Sequence, residues 1–334
     1  MSAALAAPGL QKDLCRTIST APSPGANQPQ MMSILRSLSV LSMLLLPALA
    51  QEDTRTKYLL RSNLRAGLVT KQRMTQTTIV RATRGGEESV ATSTMKTFTT
   101  SKVRSVDGAD AVCESTITRI KSRLDKRGEQ IEYDSDTAGD GPHAQFALAG
   151  AIGKTATMVV SDRGAVKQVE LPESLREANG VNFEAIFAQV GQQMPEHPVA
   201  IGDTWTVPQG IPAGPFGEIQ VEMSYTLVAV NEESYVLDHA VKMKSSTVDL
   251  PMKIKLASCE AKGVVIIDRV LGSITSTSLK TDMTFEGPIK MRITMHHDLL
   301  VDLNGKDIEP DDSQPVTNDR SDEGSSARRV DALR

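Results

Sequence analysis

The sequence predicts a mainly β protein: curved antiparallel sheets built from two related β units, with one short helix between them and disordered ends. Three observations predict it. Apolar and polar residues alternate with a period of two from Lys57 to Leu303, the mark of strands that bury one face. A single stretch within Pro172–Met194 switches to helical spacing. The chain before Gln51 and after Asn304 carries neither period.

Residues 1–30 are rich in Ala, Pro, Ser and Gly, a composition that forms no core and reads as a leader or a misassigned start. Residues 31–50 read as an export signal. Arg36 supplies a positive charge, Ser37 to Leu46 an apolar run, and Pro47 with Ala48-Leu49-Ala50 a cleavage site before Gln51. The run is shorter than the ~20 apolar residues that cross a bilayer. Met31 or Met32 is then the expected initiator. No cysteine follows Ala50 for acylation, so the expected product is exported, periplasmic or extracellular, with no transmembrane anchor after cleavage.

The body of the chain, 57–303, reads as one β-rich domain with half-units of about 57–171 and 199–303. Val69 to Ile120 is rich in Thr, Ser and Val, with Gly85-Gly86 and Asp107-Gly108 as turns, so hairpins are expected there. In Pro172–Met194, Phe183, Ile186, Phe187 and Val190 lie at helical spacing, which predicts a helix over about 182–191 with Asn182 as cap and Gly191 near its end. Four clean faces follow: Ile219 to Leu227, Tyr235 to Met243, Met252 to Leu256, and Met291 to Leu303. They predict half-solvated antiparallel strands. Residues 304–334 are poor in apolar side chains and predict a disordered tail.

The halves resemble each other. Lys102–Gly108 leading into Cys113 parallels Thr226–Glu232 leading into Leu237, and Thr157–Gly164 parallels Val264–Gly272. Both later segments end in an Asp-Arg turn, which predicts an internal duplication.

Composition excludes several classes. A net charge of −4 with interspersed signs lacks the basic face that nucleic acid requires. Aromatic residues are 3 % of the chain and Trp205 is the sole tryptophan, too few for stacking platforms. Cys113 and Cys259 remain after Cys15 leaves with the leader; they either pair or stay as buried thiols, and neither has metal-site spacing.

No residue earns a catalytic, cofactor-binding or metal-binding assignment. His296 and His297 are adjacent, so on a strand they face opposite ways and cannot share an ion. His296 shares a polar face with Asp298, while His297 and His239 lie on apolar faces as expected core histidines whose hydrogen bonds are satisfied. Asp134-Ser135-Asp136-Thr137-Ala138-Gly139 opens like a calcium loop, but Ala138 and Gln145 stand where oxygen ligands belong, so an acidic turn is expected. Gly150–Thr155 approximates a phosphate loop whose first glycine falls on Leu148. The common hydrolase signatures are missing from the sequence.

At Pro195–Trp205 the chain resembles a bacterial family of exported β-rich proteins, a domain of unknown function, whose members carry Pro-Val-x-x-Gly-Asp-x-Trp and an apolar strand ending in Asp and then Gly, similar to Gly263–Gly272 here. The resemblance implies a β-rich exported protein over about Lys57 to Leu303 and brings no activity or site residues. Trp205 itself reads as a core anchor entering a strand. The expected role is a non-enzymatic, envelope-associated structural or interaction protein, with partners unidentified. The alternatives are a carrier of a lipid or other apolar ligand, motivated by the methionine-rich strands (Met223, Met243, Met252, Met283, Met291, Met295), and a hydrolase with dispersed residues.

Overall fold

The computed structural model describes residues 55–137, 149–176, 193–212, 218–244, 248–250 and 254–308. It is mainly β and antiparallel, as the alternation requires. The signal segment, the helix expected over 182–191 and the tail beyond Ile308 lie outside the described residues. Within Pro172–Met194 the described helix is one turn, α1 (Glu173–Arg176).

The chain up to Glu170 supplies β1 (Lys57–Tyr58), β2 (Val69–Arg84), β3 (Glu87–Asp107), β4 (Asp110–Lys126), β5 (Glu129–Asp134), β6 (Thr155–Ser161) and β7 (Val166–Glu170). The chain from Val199 supplies β8 (Val199–Ala200), β9 (Thr204–Pro212), β10 (Glu218–Val230), β11 (Ser234–Met243), β12 (Val248–Leu250), β13 (Ile254–Asp268), β14 (Ile274–Glu286) and β15 (Lys290–Asp302). The main sheet runs β7-β6-β4-β3-β2-β15-β14-β13-β11-β10-β9, with β5 on β4 and β12 on β13. The two meanders meet where β2 pairs with β15 along thirteen residues, from Lys290↔Thr83 to Asp302↔Lys71.

Gly85-Gly86 and Asp107-Gly108 turn the chain where the sequence predicted. Bulges interrupt the alternation at Phe98/Thr99 and Val103/Ser105 between β3 and β4, and at Leu256/Ser258 between β13 and β14. The last of these carries Leu256 and Cys259, three residues apart, onto one face, so a strict period of two fails there.

The sheet is rolled, and one segment shows by how much. Ser62 N donates to the Asp162 carbonyl at 2.6 Å, and the next residue, Asn63 N, to the Leu271 carbonyl at 2.8 Å. These carbonyls belong to the turns after β6 and after β13, six strands apart in the sheet, which would be about 29 Å in a flat one. Two consecutive residues can touch both only if the flanks curl toward each other. Residues 55–68 thus form a strap across one end of the sheet. Leu60, 1 % exposed, plugs that end within a cluster of Met194, Val199, Val207, Tyr225, Leu227, Tyr235, Leu237, Val265 and Ile267.

Two glycines make the roll possible. A Cβ on Gly272 (φ +61°) would sit 1.8 Å from the Arg61 carbonyl oxygen, and one on Gly263 would sit 2.0 Å from the Ser278 carbonyl oxygen. Only glycine allows the strap and β14 to come this close.

Candidate functional site

The motif residues at the strapped end build turns. In the Gly-Asp turn, Gly202 (φ +93°) lets the chain reverse, the Asp203 carboxylate accepts Ala200 N at 2.9 Å, and its other oxygen pairs with Arg55 at 2.7 Å. Asp268 Oδ1 accepts from Val270 N at 2.9 Å and Leu271 N at 2.7 Å, a side-chain mimic of a backbone turn. Arg269 lies 5.5 Å from the Tyr235 ring centroid and donates to the Asn231 carbonyl at 2.6 Å. In the opposite flank Arg163 donates to the Met194 carbonyl at 3.0 Å and to Glu196 at 2.9 Å. Each arginine therefore ties its turn to a neighbouring segment.

Trp205 is half-buried. It stacks on Tyr225 with centroids 5.6 Å apart, packs against the plugged cluster, and donates Nε1–H to the Gln193 carbonyl at 3.0 Å. With Arg163, Glu196 and Pro208 it also lines a shallow cleft of about 370 Å³.

The inner face of the roll is the second candidate. Register aligns five rows across β2, β15, β14 and β13: Met74-Leu299-Thr277-Val265, Gln76-His297-Leu279-Gly263, Thr78-Met295-Thr281-Ala261, Val80-Ile293-Met283-Cys259 and Ala82-Met291-Phe285-Leu256. None of these residues is charged. Met74, Val80, Ile293, Met295, Leu299, Leu279 and Met283 are only half-buried. Among the described residues, no buried core cluster contains a residue of β2 or β15. The flanks and the strapped end have packed cores, whereas the centre of the inner face, on β2, β15 and most of β14, is uncharged and only half-buried.

One row adds polar chemistry. It runs Ser122-Met95-Gln76-His297-Leu279-Gly263-His239-Tyr225-Trp205 across β4, β3, β2, β15, β14, β13, β11, β10 and β9. His239 stacks on Tyr225 at 4.4 Å and 9°. Neither of its ring nitrogens has a hydrogen-bond partner, which overturns the expectation of a satisfied core histidine. Burial pushes its pKa down to about 4, because the charged form cannot be solvated there. Burial raises the Tyr225 phenol to about 12, and its hydroxyl reaches Met223 Sδ at 3.9 Å, a weak acceptor. Burial also lowers His297. The neighbouring hydroxyls Ser122 Oγ and Thr97 Oγ1 are buried without a partner.

The other sequence candidates separate. His296 lies on the outer face opposite Lys280 and Thr77. Asp134 and Asp136 both pair with Arg119, at 2.6 and 2.9 Å, so this acidic turn is neutralised internally; Ala138 and Gln145 lie outside the described residues. Around Gly150–Thr155 the Gly153 N–H is already bonded to the Ile117 carbonyl at 2.8 Å. Among the described residues no cluster of His, Cys, Asp and Glu could hold a metal ion. Cys113 and Cys259 are free, buried in separate clusters, and burial raises both thiols. The plug at Leu60 and the unpartnered polar belt escaped sequence reasoning.

No curated protein matches the chain. Among solved structures, the translocator domain of autotransporter NalP from Neisseria meningitidis aligns at 8 % identity over 71 % of this chain and 90 % of that one, with a TM-score of 0.21. The COG4313 outer membrane channel from Pseudomonas putida F1 aligns at 8 % identity over 72 % and 97 %, TM-score 0.22. DynF from the dynemicin biosynthesis pathway of Micromonospora chersina aligns at 8 % identity over 78 % and 89 %, TM-score 0.20. Scores of this size carry no functional inference. The likeness expected over Lys57–Leu303 is narrower in the family comparison: residues 174–295, which include the Pro198–Trp205 segment and both Gly263 and Gly272, match the model of a family of unknown function, DUF6263.

Proposed function

We propose that this chain is an exported carrier that holds an apolar ligand against the inner face of its rolled sheet. The observation that carries this reading is the set of five uncharged rows whose members on β2, β15 and β14 are, apart from the buried Thr281, only half-buried, while their β13 ends and the flanks of the sheet hold buried clusters. Apolar surface of this kind gains free energy when a hydrophobic guest replaces water, and flexible thioethers such as Met74, Met283 and Met295 adapt to irregular chains. Export rests on the signal-like segment at Met31–Ala50.

A purely structural envelope role has less in its favour, since a scaffold gains nothing from a half-covered apolar interior. A hydrolase has less still. His239 has no carboxylate to orient it, and a pKa near 4 leaves it a weak base at neutral pH. The two flanks are read as related half-units, because Asp162-Arg163 and Asp268-Arg269 close corresponding strands of the two meanders.

The test is titration with the dye 1-N-phenylnaphthylamine. Saturable fluorescence is expected from the wild-type chain. It should be lost in Ile293→Glu, which puts a charge on the inner face, and kept in Leu300→Glu, on the exposed outer face of the same strand opposite Ser276 and Arg73. Absence of saturable binding, or equal binding by both variants, would overturn the proposal.

A further inference from the structure

We infer that the ligand is an uncharged amphiphile whose hydroxyl or amide group is read by the polar belt inside the roll, rather than a pure hydrocarbon or an anionic lipid. This rests on the carrier reading and narrows it to one chemical class. Thr97 Oγ1, Ser122 Oγ and both nitrogens of His239 are buried with no hydrogen-bond partner. Thr97 and Ser122 are each 8 % exposed. Native proteins rarely leave such groups unmatched, and here all of them lie on the same face, in or beside one row of the sheet.

Two other polar members of that row, Gln76 and Tyr225, are weakly matched. Gln76 donates to Thr78 Oγ1 at 3.2 Å and to Met295 Sδ at 3.9 Å, and Tyr225 makes do with Met223 Sδ. Thioethers are poor acceptors on flexible stems, so an incoming hydroxyl or amide can take their place. A hydrocarbon guest offers none of these groups a partner.

Charge excludes the opposite extreme. On β2, β3, β13, β14 and β15 no Lys, Arg, Asp or Glu faces inward in the five central rows. Lys126, at the end of β4, is the first cation met, in the row of Ala91 and Val80. His239 is neutral at physiological pH. A carboxylate or phosphate at the depth of the belt would be buried without a counter-ion.

The experiment compares 1-hexadecanol, hexadecane and hexadecanoate at pH 8 as competitors for the bound dye, using the delipidated full chain. Hexadecanol is expected to displace the dye at least about tenfold better than either of the others, the size of one well-made buried hydrogen bond. Combining Thr97→Val with Ser122→Ala removes two unmatched hydroxyls, leaves the fold's packing volume nearly unchanged, and should shrink the alcohol's advantage over hexadecane several-fold. Equal displacement by hexadecane, tightest displacement by hexadecanoate, or an advantage that survives the double variant would overturn the inference while leaving the carrier standing. Failure of all three competitors together with failure of the dye would overturn the carrier itself.

Discussion

Replacing Gly272 by alanine tests whether the strap holds the roll closed. At φ +61° an alanine pays about 1 kcal/mol for a left-handed backbone. Its Cβ would lie 1.8 Å from the Arg61 carbonyl oxygen and 2.8 Å from Ser62 Cα, so the strap must retreat by roughly 1 Å or more to reach normal contact. Retreat costs the bonds from Ser62 N to Asp162 and from Asn63 N to Leu271, about 1 kcal/mol each. It also lifts Leu60 partly out of a site where it is 1 % exposed, part of the ~1.5–3 kcal/mol such burial contributes. The total is about 4 kcal/mol, or a fall in Tm of roughly 8–16 °C for a domain of this size. Gly85 provides the control: it has the same φ of +61° but nothing within 4 Å of its would-be Cβ, so Gly85→Ala should lose only about 1 kcal/mol. Thermal and urea denaturation of the two variants would decide the matter. Equal destabilisation of both would refute the closing role of the strap.

His239 should make the protein sensitive to acid. Its folded pKa of about 4 lies below the unfolded value near 6.5, so the unfolded state takes up the proton first and stability falls as pH drops from about 6.5 toward 4, by at most about 3 kcal/mol. Urea midpoints measured across that window should show the slope, and His239→Phe should reduce it, leaving the part that His296 and His297 contribute in the same direction; an unchanged slope would assign it elsewhere. Cys113 and Cys259 should both react with a thiol reagent only after denaturation, and reductant should leave Tm unchanged; a mass two daltons low that reduction restores would contradict the separate clusters. N-terminal sequencing of the exported product should begin at Gln51, and a product retaining Met31–Ala50 would remove the export signal.

The alternating strands were the most legible part of the sequence. β10 alternates because Ile219, Val221, Tyr225 and Leu227 pack into the core on one side with water on the other, whereas β15 alternates in sequence although its inner face is only half-buried. β13 was harder: the bulge after Leu256 shifts which residues face inward, so what reads as two short apolar segments is one strand from Ile254 to Asp268. The Gly-Asp and Asp-Arg turns stood out as motifs, but their partners Arg55, Arg61 and Met194 are distant in sequence, and only the roll brings them together. The strap has little periodicity to read: only Lys57 and Tyr58 pair, with Ala200 and Val199, and the rest crosses strand ends. His239 looked like an ordinary core histidine because alternation reveals which face a side chain occupies and nothing about whether its nitrogens find partners there.

Native mass spectrometry of the protein purified gently from its own host tests the carrier most directly. A discrete mass increment that organic extraction removes and that fragments as a lipid is the expected result. A spectrum containing only the bare polypeptide would contradict a ligand-holding interior.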